Sequence, residues 1–135
     1  MSILLDTNVC IATMNKRPPQ VRERFIQARS RGDEVAISSI SIFELWYGIA
    51  GSIHTQKNIA QLAEFRTTVL ILPFDEDDGR AAGELRGVLR RSGKPIGTYD
   101  YLIAGQALRR GLLLITANVG EFSRVKGLRW ENWEA

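Results

Sequence analysis

The stretch Ser2-Ile3-Leu4-Leu5-Asp6-Thr7-Asn8 decides the fold. Its apolar run is short and ends at Asp6, which is typical of a strand buried on both faces of a sheet. The residues that follow favour a helix from Thr7 to about residue 14. The chain therefore opens with a strand that leads directly into a helix, as in parallel α/β folds.

The same alternation continues along the chain. Short apolar runs predict strands over residues 35–37, 69–72 and 112–115, with 128–130 as a possible fifth. Helices are predicted over residues 18–31, 38–48, 57–66, 75–91 and 98–111, the last with Thr98 as its N-cap. Strands that alternate with helices predict an α/β fold with a mainly parallel sheet of four or five strands.

The composition is that of an ordinary globular domain, with 44% hydrophobic and 24% charged residues. We expect one domain over residues 1–135. No apolar run approaches the roughly 20 residues that cross a bilayer, and the N-terminus does not have the pattern of a signal peptide. The only cysteine, Cys10, excludes an internal disulfide, so we expect a cytoplasmic protein.

The charge is mildly basic, with a net charge of +3 and a pI of about 9.4. This permits a polyanionic partner without requiring one. The basic residues fall into three groups on predicted helices: Arg22, Arg24, Arg29 and Arg31; Arg86, Arg90, Arg91 and Lys94; Arg109 and Arg110. Each group is either a contact for a polyanion or an ordinary solvated helix face.

Acidic and amide side chains follow the predicted strands. In open parallel sheets, ligands bind beyond the carboxyl ends of the strands. The residues predicted to meet at that edge are Asp6, Glu44, Asp100, Asn118 and Glu121. The convergence of these residues, rather than any one of them, points to a functional site.

Each of these residues also has a purely structural interpretation. Asp6 can cap the helix that follows it, and Asp100 suits the first turn of its helix. Glu44 can be an exposed helix acid, although its apolar neighbours mean that its carboxylate needs a partner. Asn118 and Glu121 can be ordinary polar residues of a predicted loop.

Clustered carboxylates repel one another unless a cation compensates, and hard oxygen ligands favour Mg²⁺, or Mn²⁺, over zinc. Such ions assist phosphodiester cleavage. With only His54 and Cys10, the chain cannot form a two-histidine ribonuclease site, and both residues are expected to be structural. The run Asp75–Asp78 is better explained as charge at a helix start than as a metal site.

Four motifs, in this order, resemble those of PIN-domain nucleases: Asp6-Thr7-Asn8; Ser38-Ser39-Ile40 leading to Glu44; Ile96-Gly97-Thr98-Tyr99-Asp100 followed by Leu102-Ile103-Ala104; and Thr116-Ala117-Asn118 before Glu121-Phe122. The closing Val125-Lys126-Gly127-Leu128-Arg129 and Glu131-Asn132-Trp133 resemble VapC toxins. Val21-Arg22-Glu23-Arg24-Phe25 resembles the VapC branch that cuts initiator tRNA in its anticodon region. The similarity spans nearly the whole chain.

The resemblance implies a PIN-like three-layer α/β/α fold and a Mg²⁺-dependent endoribonuclease. It implies a homodimer, a VapB-like antitoxin that covers the active site, and binding to operator DNA only as the toxin–antitoxin complex. The first three acids of the family correspond to Asp6, Glu44 and Asp100. At the fourth position many relatives have aspartate where this chain has Asn118, so Asn118 or Glu121 completes the set.

Three functions remain open on the sequence. The main interpretation is a ribonuclease toxin in which Asp6 and Asp100 bind metal, Glu44 completes the site, and Asn118 or Glu121 holds a second ion or a metal-bound water. The second is a catalytically silent module that acts with its antitoxin as a DNA-binding repressor. The third is a metal-dependent phosphatase of small substrates.

Overall fold

The computed structural model describes residues 1–135. The strands are β1 (Ser2–Leu5), β2 (Glu34–Ser38), β3 (Leu70–Leu72), β4 (Leu113–Ile115) and β5 (Trp130–Glu131). The helices are α1 (Thr7–Asn15), α2 (Pro19–Ser30), α3 (Ser39–Ala50), α4 (Thr55–Arg66), α5 (Glu76–Arg91), α6 (Thr98–Arg110) and α7 (Val119–Phe122). None of the helices combines the length and apolar character needed to cross a bilayer.

The strands form one sheet in the order β3-β2-β1-β4-β5, and every pair is parallel. The predicted α/β fold is therefore confirmed, with five strands and an entirely parallel sheet. The first strand lies at its centre, since β1 pairs with both β2 and β4. This explains why Ile3, Leu4 and Leu5 are all apolar, because a central strand covered on both faces exposes neither set of side chains to water.

Two apolar cores lie on opposite faces of the sheet. Ile3 and Leu5 pack with residues of α1, α2, α3 and α4, whereas Leu4 packs with residues of α5, α6 and α7. The alternation follows from the strand geometry, in which successive side chains point to opposite faces. The result is the three-layer α/β/α arrangement implied by the resemblance.

Local structure differs from the sequence prediction in three places. Gly97, not Thr98, is the N-cap residue of α6, and no side chain caps that helix. The predicted loop around Asn118 and Glu121 contains the short helix α7, with Asn118 as its N-cap. A helix of this length spans about one turn, too short to show an apolar periodicity. The fifth strand begins at Trp130, because Trp130 is the residue that pairs with Leu114 of β4.

Candidate active site

The candidate site lies at the carboxyl edge of the sheet, where the strand order reverses. From β1 the chain proceeds to β2 and β3 on one side, and then to β4 and β5 on the other. A crevice forms beyond the strands at such a switch point, because the connections leave in opposite directions. Asp6 follows β1 and Thr116 follows β4, so these neighbouring strands deliver polar side chains to the same edge of the sheet.

Asp6 is a buried carboxylate, with 5% of its surface exposed. Its Oδ1 accepts a hydrogen bond of 2.8 Å from the backbone N–H of Val9, so Asp6 does cap α1. Burial raises the pKa of Asp6, although hydrogen bonds from the Thr116 hydroxyl and from Val9 oppose the increase. The negative charge of Glu44 adds to the rise in pKa. The capping role therefore accounts for only part of the surroundings of this side chain.

Glu44 has the polar partner that its position on α3 requires. The Thr7 hydroxyl donates a hydrogen bond of 2.6 Å to Oε1 of Glu44. Thr7 Oγ1 also lies 2.8 Å from the hydroxyl oxygen of the buried Ser41. This contact joins α1 to α3, and it holds the Glu44 carboxylate on the side of α3 that faces Asp6.

Asp100 and Glu121 form a carboxyl–carboxylate pair. Burial, the hydrogen bond to Glu121 and the charges of Glu121, Asp6 and Glu44 together raise the pKa of Asp100 to about 8. The proton therefore resides on Asp100, and the hydrogen bond that Asp100 donates lowers the pKa of Glu121. Asn118 Nδ2 donates a second hydrogen bond of 2.9 Å to Oε2 of Glu121. Sharing one proton is the expected way for two adjacent carboxyl groups to limit their repulsion.

Gly97 leaves the space in which this pair meets. A Cβ atom at Gly97 would lie 3.0 Å from Oδ2 of Asp100 and 3.8 Å from Oε2 of Glu121. The backbone N–H of Gly97 also donates to Glu121 and helps to lower its pKa. A side chain at this position would crowd the carboxyl oxygens, so the glycine is part of the site's construction.

Four carboxyl groups lie within electrostatic reach of one another. The charges of Asp6, Glu44 and Glu121 all raise the pKa of Asp100. They form neighbouring pairs, and no three of them converge tightly enough to be a ready-made ligand set. The donor set nevertheless fits a hard divalent cation, since it consists of mutually repelling carboxylate oxygens with an amide beside them. Such a cation would offset the repulsion between these carboxylates.

The acidic run at the start of α5 lies elsewhere, as predicted. Asp75 and Asp78 form a capping box, in which each side chain accepts a hydrogen bond from the backbone N–H of the other. Asp78 is fully buried and lies 2.8 Å from both Arg109 Nε and Arg110 Nη2. Arg109 and Arg110 are therefore ion-pair partners of Asp78, a structural role that the sequence pattern did not indicate.

Neither Cys10 nor His54 belongs to the carboxylate group. Cys10 is fully buried in α1, and burial together with the charge of Asp6 raises the pKa of its thiol well above the usual value. The thiol therefore packs as a neutral apolar group. His54 is exposed at the N-cap position of α4, a helix start, as the sequence predicts.

The residues that position the carboxylates could not be predicted from the sequence, namely Thr7, Ser41, Gly97 and Thr116. Thr7, Gly97 and Thr116 lie inside the quoted motifs, directly beside or two to three residues before an acid or amide. That proximity was the only available signal. Hydroxyl groups and glycines are so common in loops and helix starts that their roles emerge only when their partners are known.

Comparisons with known proteins identify the family of the chain. The sequence profile of the PIN domain matches residues 3–128. The chain is 39% identical over 133 residues to the tRNA(fMet)-specific endonuclease VapC of Shigella flexneri, covering 98% of each chain.

Two solved complexes contain similar chains. One is VapBC2 from Rickettsia felis bound to a DNA fragment from their promoter, with a TM-score of 0.92, 34% identity and coverage of 98% of this chain and 99% of that one. The other is DNA-bound VapBC from Salmonella typhimurium, with a TM-score of 0.90, 39% identity and 98% coverage of both chains. The chain therefore belongs to the PIN-domain family and, within it, to the VapC group of ribonucleases.

Proposed function

We propose that this chain, acting as a single PIN domain over residues 1–135, is the toxin of a toxin–antitoxin pair and a Mg²⁺-dependent endoribonuclease that cuts tRNA. The observation that carries the proposal is the group of carboxylates at the switch point of the sheet. Burial, with the hydrogen bond to Glu121 and the charges of Glu121, Asp6 and Glu44, raises the pKa of Asp100 to about 8. Perturbed acids in a crevice favour a functional site over a structural one.

In this proposal Asp6 and Asp100 hold the divalent ion directly and Glu44 completes the site. When bound, Mg²⁺ would polarise a phosphoryl oxygen, activate water and balance the charge that develops in phosphodiester cleavage. Divalent metal ions are generally needed by PIN-domain nucleases. Mg²⁺, with Mn²⁺ as the possible substitute, is our proposal from the all-oxygen donor set.

The residues of the chain orient this chemistry before any substrate arrives. Hydrogen bonds from Val9 N–H and Thr116 hold the Asp6 carboxylate in place. A hydrogen bond from Thr7 holds the Glu44 carboxylate. Asn118 donates its amide hydrogen to Glu121, and this places the Glu121 carboxylate against Asp100. The arrangement favours Glu121 as the acid that supplies the fourth position, with Asn118 as the residue that orients it.

The proposed substrate is tRNA, with initiator tRNA cut in its anticodon region. The support is the 39% identity to a tRNA(fMet)-specific endonuclease. The Arg22 and Arg24 segment adds less support than its sequence suggests. Arg22 donates to the backbone oxygen of Thr13 and Arg24 to that of Asn132, so both guanidinium groups are engaged within the fold.

The proposed partners are a VapB-like antitoxin, a second copy of this chain, and operator DNA bound only by the toxin–antitoxin complex. Two solved relatives are VapBC complexes with DNA. Trp46 and Tyr47 remain exposed on α3, with 44% and 77% of their surface accessible. Large aromatics on a surface favour the centre of a protein interface, so we assign this part of α3 to the antitoxin.

Cleavage by the purified chain separates the proposal from its alternatives. We expect 5′-labelled tRNA to be cut in Mg²⁺ and to remain intact in chelator, while phosphate monoesters are not turned over. A chain that leaves every RNA intact, yet binds operator DNA together with its antitoxin, would favour the silent repressor. Turnover of phosphate monoesters with indifference to RNA would favour the phosphatase.

A further inference from the structure

Two exposed aromatic rings, those of Phe43 and Tyr99, lie in contact at the candidate site. Phe43 belongs to α3 and Tyr99 to the first turn of α6. Their ring centroids are 5.6 Å apart and the ring planes are inclined by 47°. Neither ring is taken into the apolar cores, since 52% of Phe43 and 44% of Tyr99 remain exposed. The pair therefore offers a braced aromatic surface to the solvent.

The position of this pair ties it to the carboxylates. Phe43 directly precedes Glu44, and Tyr99 directly precedes Asp100. The rings meet where α3 and α6 approach each other, and both residues are sequence neighbours of carboxylates of the site. The helices that deliver the carboxylates deliver the aromatic pair as well.

One cationic group lies close to the carboxylates. Arg124 donates to the backbone oxygen of Pro95 and its charge lowers the pKa of Glu121. An aromatic surface with an arginine and an acidic cation site nearby has the chemistry for both parts of a nucleotide, the base and its phosphate.

We propose that Phe43 and Tyr99 form a stacking platform for one unpaired base of the RNA substrate, adjacent to the phosphate that is cut. The inference rests on the proposed function and deepens it by assigning two residues to recognition of the base next to the cut. Proteins read RNA by stacking splayed bases on aromatic side chains, whereas bases within a duplex offer no free face. The platform therefore selects unpaired loops and excludes continuous helices from the carboxylates.

The charge distribution favours a base over a protein side chain as the occupant. A nucleotide brings its own phosphate, which needs the cation that the carboxylates would hold and the positive charge of Arg124. An apolar protein segment in the same place would cover the buried acids without compensating their charge. Trp46 and Tyr47 provide apolar surface for a protein partner further along α3.

The test measures kcat/KM for cleavage of a hairpin RNA whose unpaired loop contains the wild-type cut site. We expect Phe43→Ala and Tyr99→Ala to lower kcat/KM about 5- to 100-fold, the range for loss of one base–aromatic stack, mainly through KM. Tyr99→Phe keeps the ring and is expected to cleave as efficiently as wild type. Trp130→Ala, which removes an exposed aromatic from β5, is the matched control and is expected to have no effect.

A second measurement identifies the base. A single abasic nucleotide is placed at each position of the loop in turn. At one position next to the cut, we expect it to slow cleavage by the wild-type protein. At the same position, it should not slow cleavage by Tyr99→Ala any further. Thermal melting establishes that every variant is folded, which is expected because both rings are exposed.

Unchanged cleavage by the folded Phe43→Ala and Tyr99→Ala variants would overturn the platform. So would abasic effects that are the same in wild type and Tyr99→Ala at every position. Loss of dimerisation or antitoxin binding with cleavage intact would instead make the pair a protein contact. A wild-type protein that cuts no RNA would overturn the proposed function itself, a result distinct from all of these.

Discussion

Asp100 is the side chain at which the structural and the catalytic interpretations give opposite predictions. Asp100 is protonated in the metal-free protein at neutral pH, and Asp100→Asn keeps an uncharged hydrogen-bond donor beside Glu121, so the metal-free variant should melt no lower than wild type. Added Mg²⁺ should stabilise it less, because one anionic oxygen ligand is lost. Thermal melting with Mg²⁺ and with chelator checks both expectations.

Asp77→Asn is the matched control for this experiment. Asp77 also lies in the first turn of a helix, α5, but it is exposed and outside the candidate site. The control should lose at most a helix-dipole contribution of typically under about 1 kcal/mol and should respond to Mg²⁺ as wild type does. An Asp100→Asn protein that melts well below wild type in chelator would mean that Asp100 supports the scaffold.

The proton on Asp100 predicts how the site depends on pH. Its pKa is raised from 3.8 to about 8, so the folded metal-free protein binds more protons than the unfolded chain between these values. Its stability should therefore fall as the pH rises through this window, while the affinity for Mg²⁺ rises as the proton leaves. Calorimetric titration at several pH values, in buffers with different ionisation enthalpies, measures the affinity and the released proton. A pH-independent affinity with no proton release would contradict the prediction.

The acids themselves could be predicted from sequence, whereas their positioning could not. Asp6, Glu44 and Asp100 stand after apolar strands or on amphipathic helices, and that placement alone indicated a common edge. The space that Gly97 provides for Asp100 depends on atoms about 3 Å apart in the folded chain. Nothing in the order of residues encodes such a distance directly.

At the scale of elements, the contact between α5 and α6 depends on one glycine. A Cβ atom at Gly105 would lie 2.6 Å from the Cα of Ala82, closer than folded proteins tolerate. Gly105→Ala should therefore force the helices apart and cost about 1–3 kcal/mol, the usual penalty of overpacking. Urea unfolding of the purified variant measures the loss.

Gly83 is the matched control, since it lies in α5 with no atom within 4 Å of its Cβ position. Gly83→Ala should stabilise the protein by about 0.5–1 kcal/mol, because alanine restricts the unfolded chain and favours a helix. Equal effects of the two substitutions would refute the close contact. No sequence pattern distinguishes Gly105 from Gly83, since both lie inside predicted helices. They differ only in the atoms that surround their Cβ positions in the folded chain.

The ion pairs of Asp78 join the same two helices. Burial alone would raise the pKa of Asp78, but hydrogen bonds from Arg110, the Asp75 backbone and Arg109 hold it well below the usual range. The stabilisation by these ion pairs is therefore complete above about pH 4. It is lost as the pH falls below the pKa of an ordinary aspartate. Asp78→Ala should cost about 3 kcal/mol at neutral pH, the lower end for a broken buried pair, because both arginines are partly exposed.

Unfolding by urea at pH 7 and at pH 3 checks this expectation. The difference between wild type and Asp78→Ala should narrow at the lower pH, whereas Asp77→Ala should behave as wild type at both. A difference that stays constant with pH would contradict a role for the Asp78 charge.

At the scale of the whole molecule, the exposed aromatics of α3 predict how the chain meets its antitoxin. Trp46→Ala should remain folded, since the side chain is 44% exposed, and should bind the antitoxin at least about tenfold more weakly, as an interface centre would. Trp130→Ala removes a similarly exposed tryptophan from β5 and should leave binding unchanged. Titration calorimetry with the purified antitoxin compares the two, and unchanged binding by Trp46→Ala would reject this surface.

The proposed homodimer has a separate test, because it does not depend on the antitoxin. Light scattering of the isolated chain at micromolar concentration should return twice its mass of 15.1 kDa. A monomer under these conditions would contradict the proposal.

The alternation of strands and helices was sufficient to predict one α/β layered fold, because each strand and helix is specified locally. The surfaces that contact partners cannot be predicted in the same way. The aromatic residues of α3 are recognised as exposed only when the residues of the two apolar cores are known.

The central claim is that the carboxylates bind the divalent ion with which the chain cuts RNA. It is tested most directly by titrating Mn²⁺ into the purified protein and following bound ion by electron paramagnetic resonance and tRNA cleavage in the same samples. Bound Mn²⁺ and cleavage should rise together in wild type, and both should be lost in Asp100→Asn. Full cleavage in chelator, or equal Mn²⁺ binding by Asp100→Asn and wild type, would contradict the assignment.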